Sequence, residues 1–385
     1  MELHVGVVGA GIVGLSAAIN IQKLIKHVKV TIVADNFGVD TLKEDQMGIF
    51  LPVPSRVKGV DTVQVREWLI DGYKHHSALA TSLQGLESGQ EFMPGVCFYT
   101  ETSGQQNVPL PDLVRNFHVL TEEEKATLNY NWEHVCYFDT VVVDQIRYVR
   151  WLMKEFRETG GAIVFRTVNA LQELYGMYDV VVNCTGRRTR EMTVDPFFTF
   201  YSSRTVQLYG MYDVVVNCTG RRTREMTVDP FFTFYSSRTV QVERQLHKKF
   251  VLDDHLCMLP HLDCDRWDLS WTREPRETDV IVNDTNARFL LHLAKAKIPQ
   301  LEGCEYVTEW EEQHRTRDPP LVEIEMINCV GGKGPILPVV HNVGHGPDAI
   351  TLAWGTGAQT AHLVQDCQRL VKPYVPIWRP FDPTS

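Results

Sequence analysis

Gly9, Gly11 and Gly14 form the spacing GxGxxG, with Ala10, Ile12 and Val13 between them. The run follows a short apolar stretch from His4 to Val8 and opens an apolar helical pattern that reaches about Ile25. In such a turn the first glycine permits the sharp bend. The second lets the backbone approach a pyrophosphate, and the third lets helix and strand pack closely. The helix start adds free N–H groups and the positive end of a dipole, both suited to phosphate. A second strand, Val28 to Val33, leads into Ala34 and Asp35, and Asp35 lies 21 residues past Gly14. A carboxylate there can bind an adenosine ribose hydroxyl. Strand, turn, helix and acid together predict a dinucleotide site. The motif by itself fits NAD and FAD equally.

Two further groups of residues could do chemistry. His314, Arg315 and Arg317 form a basic cluster around Thr316. An arginine fork suits a carboxylate, whereas a histidine is not an equivalent clamp. Near the end of the chain, residues 340–355 read VHNVGHGPDAITLAWG. This is a glycine-rich loop leading into a helical pattern, with Pro347 at a first-turn position where its missing N–H is no loss.

The tail run resembles the signature HNYGHGGxGxTxxWG of the D-amino-acid and D-aspartate oxidase family. The HN and GHG pieces, Thr351 and Trp354-Gly355 match. Residues 33–37 resemble the family's second strand end, and residues 48–52, GIFLP, resemble its GLWxP turn. The stretches 139–151 and 179–186 also have counterparts, so the resemblance covers nearly the whole chain. It implies an α/β fold, with a discontinuous Rossmann-like FAD-binding domain and an inserted mixed-sheet substrate domain. The first would span 1–60, 135–190 and 325–375, and the second 61–134 and 191–324.

The resemblance also implies a cofactor and a reaction. FAD would be held by Gly9, Ala10, Gly11, Ile12, Val13, Gly14, Asp35, Asn36, Gly48, Ile49, Val168, Gly346, Asp348, Ala349, Ile350 and Thr351. A D-amino acid would pass a hydride from Cα to the flavin, and oxygen would reoxidise the flavin to give hydrogen peroxide. The imino acid would hydrolyse to a 2-oxo acid and ammonia. Arg315 or Arg317 would grip the α-carboxylate, with His314 beside them, and the carbonyl of Pro347 would take the amino group. The cluster favours acidic substrates. The pattern departs from the family in three places. His314 falls where the family has the carboxylate-binding arginine, Asp253 and Cys257 fall where it has tyrosines, and Pro347 replaces a glycine. A flavin-binding protein with little or no turnover is therefore the alternative, and an NAD-dependent dehydrogenase is a third reading that leaves the tail motif unused.

The elements that must position these residues are legible in part. Helical spacing is expected over 61–83 and 144–159, and near 285–297, with strands at 162–168 and 179–183. Residues 86–134 read as irregular. Residues 174–207 recur letter for letter as 208–241. Solenoid units drift apart and these have not, so the repeat marks a recent tandem duplication or an error in the gene model. Only one copy of Val180–Val182 and Val214–Val216 can fill a given sheet slot. The first copy's strand is expected in the flavin sheet and the second copy's end in the substrate domain, with 187–219 in excess.

Bulk properties exclude other classes. The formal net charge is −10, without a basic run, so no nucleic acid partner is expected. The apolar N-terminus lacks a basic leader and carries the glycine turn, so neither a signal peptide nor a membrane span is expected. Nine scattered cysteines without a CxxC pair point to no disulfide framework and no metal site. The expected location is cytoplasmic. The family suggests the peroxisome, but the chain ends in Asp-Pro-Thr-Ser, unlike Ser-Lys-Leu. The expected partners are a small D-amino acid and oxygen, and the family is compatible with a homodimer.

Overall fold

The computed structural model describes residues 2–42, 46–100, 108–128, 132–185, 232–253, 256–273, 290–292, 294–295, 298–328 and 336–370. In chain order the strands are β1 (Leu3–Val8), β2 (Val28–Ala34), β3 (Met47–Ile49), β4 (Gln90–Tyr99), β5 (Arg115–Val119), β6 (His134–Asp144) and β7 (Ala162–Phe165). They continue with β8 (Val180–Asn183), β9 (Phe232–Glu243), β10 (Phe250–Leu252), β11 (Leu256–Pro260), β12 (Arg266–Arg273), β13 (Glu305–Asn328) and β14 (Ile336–His345). The helices used below are α1 (Ile12–Leu24), α2 (Thr62–Ala80), α3 (Gln84–Ser88), α4 (Glu122–Thr127), α5 (Gln145–Glu158) and α6 (Ala349–Leu370).

The fold is α/β with a mixed sheet. One end is parallel, in the order β14-β8-β1-β2-β7. These strands read as near-continuous apolar runs because both faces are covered. Val5, Val7, Val180, Val182 and Val340 pack on one side with α1, α5 and α6. Val8, Val33, Val181 and Val339 pack on the other with Leu171 and Leu174. Burying each large apolar side chain contributes about 1.5–3 kcal/mol, which holds the short strands together. Beyond β14 the sheet turns antiparallel through β13, β9, β12 and β11. β14 is thus the seam, parallel to β8 on one side and antiparallel to β13 on the other.

Residues 86–134 are more ordered than their sequence suggests. They hold β4, β5, α4 and part of α3, and β4 runs antiparallel to β6 along its length. Pro94 lies inside β4, opposite Asp139, and a mid-run proline argues against a strand because it cannot donate to the ladder. Here packing overrides that signal, with Met93, Cys97 and Tyr99 in one core and Val96 and Phe98 in another. The strand expected to reach Val168 stops at Phe165. The helix over 144–159 is present as α5, capped by Asp144, whose Oδ1 accepts from the Arg147 N–H at 3.0 Å. Of the helix expected near 285–297, residues 290–292 and 294–295 are helical and the rest lie outside the described residues.

The two copies of the repeat contribute different pieces. The first supplies β8, which sits between β1 and β14 as expected. The second supplies residues 232–241 of β9, which run on into Val242 and Glu243 and pair with β12 and β13. The expected excess, 187–219, and Val214–Val216 with it, lies outside the described residues. Deleting residues 187–220 restores a single copy while keeping β8 and β9. The deleted chain is expected to fold and to melt at or above the full-length chain, because it keeps every described strand and shortens the connection between β8 and β9. A lower melting temperature in thermal unfolding would show that residues 187–220 fill a structural place.

Candidate functional site

The first turn leaves β1 at Gly9, whose φ of 112° is left-handed and whose N–H donates to the Val33 carbonyl at 3.0 Å. A Cβ on Gly9 would lie 2.3 Å from the Cys184 carbonyl oxygen, and one on Gly14 would lie 2.0 Å from the Gly9 carbonyl oxygen. Both glycines are therefore demanded by packing. Gly11 differs, because a Cβ there meets nothing within 4 Å. Gly11 is the N-cap of α1, with no side-chain cap and no acid in the first turn. The helix start therefore presents N–H groups to open space, which is what a phosphate needs. Ala10 and Ile12 are buried and Val13 is half-buried against the same core, so only their backbone can face a ligand. Asp35 and Asn36 are exposed just past β2, with the Asn36 amide donating to Asp35 Oδ1 at 3.1 Å. Val168 packs beside Val8 and Val33.

The tail motif forms a second wall. β14 ends at His345, residues 346–348 make a 3-10 turn, and α6 begins at Ala349. Gly346 has φ 54°, and a Cβ there would strike Thr316 Oγ1 at 2.0 Å. A Cβ on Gly344 would lie 2.6 Å from that of Arg317. β13 therefore lies tight against the tail turn. Thr351 Oγ1 accepts from the Leu51 N–H at 3.0 Å, and Thr140 donates to the Phe50 carbonyl at 2.6 Å. Gly48 abuts Ile350 and Ile49 follows it, so the turn after β3 and the start of α6 are one packed unit.

Of the residues expected to bind substrate, Arg317 is beside this turn, and its Nη1 donates to the Pro319 carbonyl at 2.7 Å. His314 and Arg315 pair with Tyr235 and Phe234 of β9, and their side chains lie outside the described residues. Pro347 is exposed at the turn. Asp253 closes the β10–β11 hairpin, where its Oδ1 accepts from the Leu256 N–H at 2.6 Å. Burial pushes the Cys257 thiol up to about 12, although Arg56 nearby pulls it down. Sequence reading missed Arg56. Its Nε lies 3.1 Å from Asp348 Oδ1, so a cation stands at the head of α6. The only clue in the chain was the pair of bases, Arg56 and Lys58, that follows GIFLP. Asp318 is raised above the usual carboxylate range by burial, with Asp348 adding to the rise and Lys58 opposing it.

Histidines brace the site from behind. The His345 hydrogen bond runs from Nε2 to Thr356 Oγ1 at 2.9 Å, since the threonine proton goes to the Leu352 carbonyl. Burial lowers His345 to about 4. His75 stacks on Trp354 with ring centroids 3.4 Å apart, and burial lowers it well below its usual range, helped by His76 and Lys23. His76 bonds the Ile350 carbonyl through Nε2 at 3.0 Å, and burial lowers it too.

The whole arrangement has known relatives. The family model described as FAD dependent oxidoreductase matches residues 4–363. The chain is 26% identical to D-aspartate oxidase of Homo sapiens over 97% of this chain and 98% of that one. Its fold resembles glycine oxidase from Geobacillus kaustophilus, with a TM-score of 0.62 at 15% identity, covering 95% of each chain. It equally resembles L-alpha-glycerophosphate oxidase from Mycoplasma pneumoniae with FAD bound, at 0.62 and 12% identity, again covering 95% of each chain. The chain belongs to the FAD-dependent oxidoreductase family that includes the D-amino-acid and D-aspartate oxidases. It is a flavoprotein enzyme with FAD as its cofactor. The uncapped start of α1 and the open space at Gly11 fit the pyrophosphate of that group. Among the described residues no helix is long and apolar enough to cross a membrane, and no cluster of three metal-ligating side chains occurs.

Two predictions follow from this geometry. Gly11→Trp is expected to fold, since the space is open and φ at Gly11 is −78°, but to purify colourless because the indole fills the phosphate space. A yellow Gly11→Trp protein would contradict this. The second prediction concerns acid. His345 is neutral when folded down to about 4, whereas the unfolded chain protonates it near 6.5. The unfolded state therefore binds the extra proton between those values, and stability falls as pH drops from about 6.5 toward about 4. His345→Asn should flatten the pH slope of urea unfolding by one proton, about 1.4 kcal/mol per pH unit. An unchanged slope would show that His345 takes up its proton in the folded state.

Proposed function

We propose that the enzyme oxidises D-amino acids, acidic ones best, giving a 2-oxo acid, ammonia and hydrogen peroxide from substrate, oxygen and water. The observation that carries the reading is the tight packing of Arg317 against Gly344 of the tail turn. It sets the β13 backbone that carries the Arg317 cation against the turn that starts α6. Arg56 adds a second cation there, held by Asp348. The human relative, 98% of whose length is matched, is named D-aspartate oxidase, which supports an acidic substrate.

Bound FAD supplies the two-electron acceptor. The chain's own residues hold and orient. In this reading Gly9 to Gly14 and the head of α1 cradle the pyrophosphate, and Asp35 with Asn36 takes the ribose. Gly48, Ile49 and the segment Gly346 to Thr351 face the flavin ring, where the N-terminal N–H groups of α6 stabilise negative charge. Arg315 and Arg317 clamp the α-carboxylate, and the carbonyl of Pro347 accepts from the substrate ammonium. Fixing both ends of the substrate converts an encounter into an oriented reaction.

A second reading has its own support. The Arg317 guanidinium bonds its own strand at Pro319, and neither Asp253 nor Cys257 brings a phenol. A flavoprotein with little turnover fits those facts. Peroxide release across a panel of D-amino acids separates the two. The proposed function predicts release with D-aspartate or D-glutamate and its loss in an Arg315→Ala, Arg317→Ala double variant that retains flavin. Absence of peroxide with every D-amino acid would favour the second reading. Unchanged kinetics in the double variant would remove the arginines from the site.

A further inference from the structure

A buried polar chain runs from the surface to the first glycine turn, and the activity does not use it. Glu325 on β13 is half-exposed, and its Oε2 lies 2.8 Å from His341 Nε2. His341 on β14 is 2% exposed, and its Nδ1 lies 3.1 Å from the side-chain nitrogen of Asn183. Asn183 ends β8 and is fully buried. Its Oδ1 accepts from the Thr185 backbone N–H at 3.2 Å and from the Thr185 hydroxyl at 2.7 Å.

The directions of these bonds are forced. A backbone N–H can only donate, so the Asn183 oxygen must face Thr185. The Asn183 amide nitrogen, a pure donor, then faces His341 Nδ1, which must accept. The single ring proton is left at Nε2, where a carboxylate receives it. Glu325 thus fixes the tautomer that Asn183 requires, and the bond from His341 holds Glu325 below the usual carboxylate range. The far end of the chain is the segment that confines the nucleotide turn. Cys184 donates its N–H to the Val8 carbonyl at 2.9 Å, and its own carbonyl occupies the space of the missing Gly9 side chain.

We propose that Glu325, His341 and Asn183 are positioning residues for the cofactor: they lock residues 183–185 against the Gly9 turn and so set how tightly FAD is held. This rests on the reading that the turn cradles FAD. The tail strand that carries the flavin-side motif is thereby tied to the pyrophosphate turn by side chains, through a residue of the motif itself.

The test follows FAD release when the holoprotein is diluted, read as the rise in free-flavin fluorescence, with the melting temperature of the undiluted holoprotein as a structural control. Glu325→Gln keeps an acceptor for Nε2–H and should release FAD as wild type does. Glu325→Lys offers only donors, turns the ring proton toward Asn183 and should weaken FAD retention about tenfold, the effect of one buried donor left without a partner. His341→Phe fills the same space without nitrogen and should behave like Glu325→Lys. FAD retention equal to wild type in both Glu325→Lys and His341→Phe would overturn the proposal, as would Glu325→Gln releasing FAD as fast as Glu325→Lys. A lower melting temperature with unchanged FAD release would assign the chain a structural role only and would also overturn it. Gly11→Trp is the separate control. Should that variant retain FAD as wild type does, the turn is not the FAD cradle and the inference falls with that reading.

Discussion

The contact on which the rest depends is the close approach of the Cys184 carbonyl to Gly9. With 2.3 Å to a would-be Cβ, only glycine admits it. That contact seats the exit of β8 against the exit of β1, and the parallel register from Val5–Val180 to Val8–Asn183 follows from it. Gly14 lets α1 fold back over the same point. Two strand ends and a helix start are thereby gathered at one edge of the sheet, where an open ligand site belongs in an α/β fold.

β14 carries that edge to the chemistry. It pairs in parallel with β8 and antiparallel with β13, so the residues that follow it are delivered to the seam between the two kinds of sheet. The turn at 346–348 then points α6 inward. The Leu51 N–H bonds Thr351 at the head of α6, and Thr140 of β6 bonds the Phe50 carbonyl, so the turn after β3 is tied to both elements. Burial lowers His76 and His345 beneath the site, which favours their neutral forms.

The parts legible in the chain were those governed by local spacing. GxGxxG between an apolar run and a helix needs no partner to be read, and the tail motif is equally local. The division of labour between the repeat copies was legible too, because β8 could only be reached by a short connection and β9 had to run on into Val242. The illegible parts depend on long-range packing. β4 was hidden by Pro94, which tertiary contacts tolerate beside β6. Arg56 gained its place only by meeting Asp348 at the far end of the chain. Asp253 reads only as a departure from a family tyrosine, and its hydrogen bond to the Leu256 N–H across the β10–β11 hairpin has no signature in the chain. The order Glu325, His341, Asn183 has no sequence signature, since it links three strands.

The central claim is that this family member oxidises D-amino acids through bound FAD. Anaerobic mixing of the purified holoprotein with D-aspartate tests it most directly, because flavin reduction is seen without any need for oxygen or a coupled assay. The account predicts that the visible flavin absorption bleaches with D-aspartate and stays unchanged with L-aspartate. A flavin spectrum that remains oxidised with D-aspartate and with every other D-amino acid would contradict it.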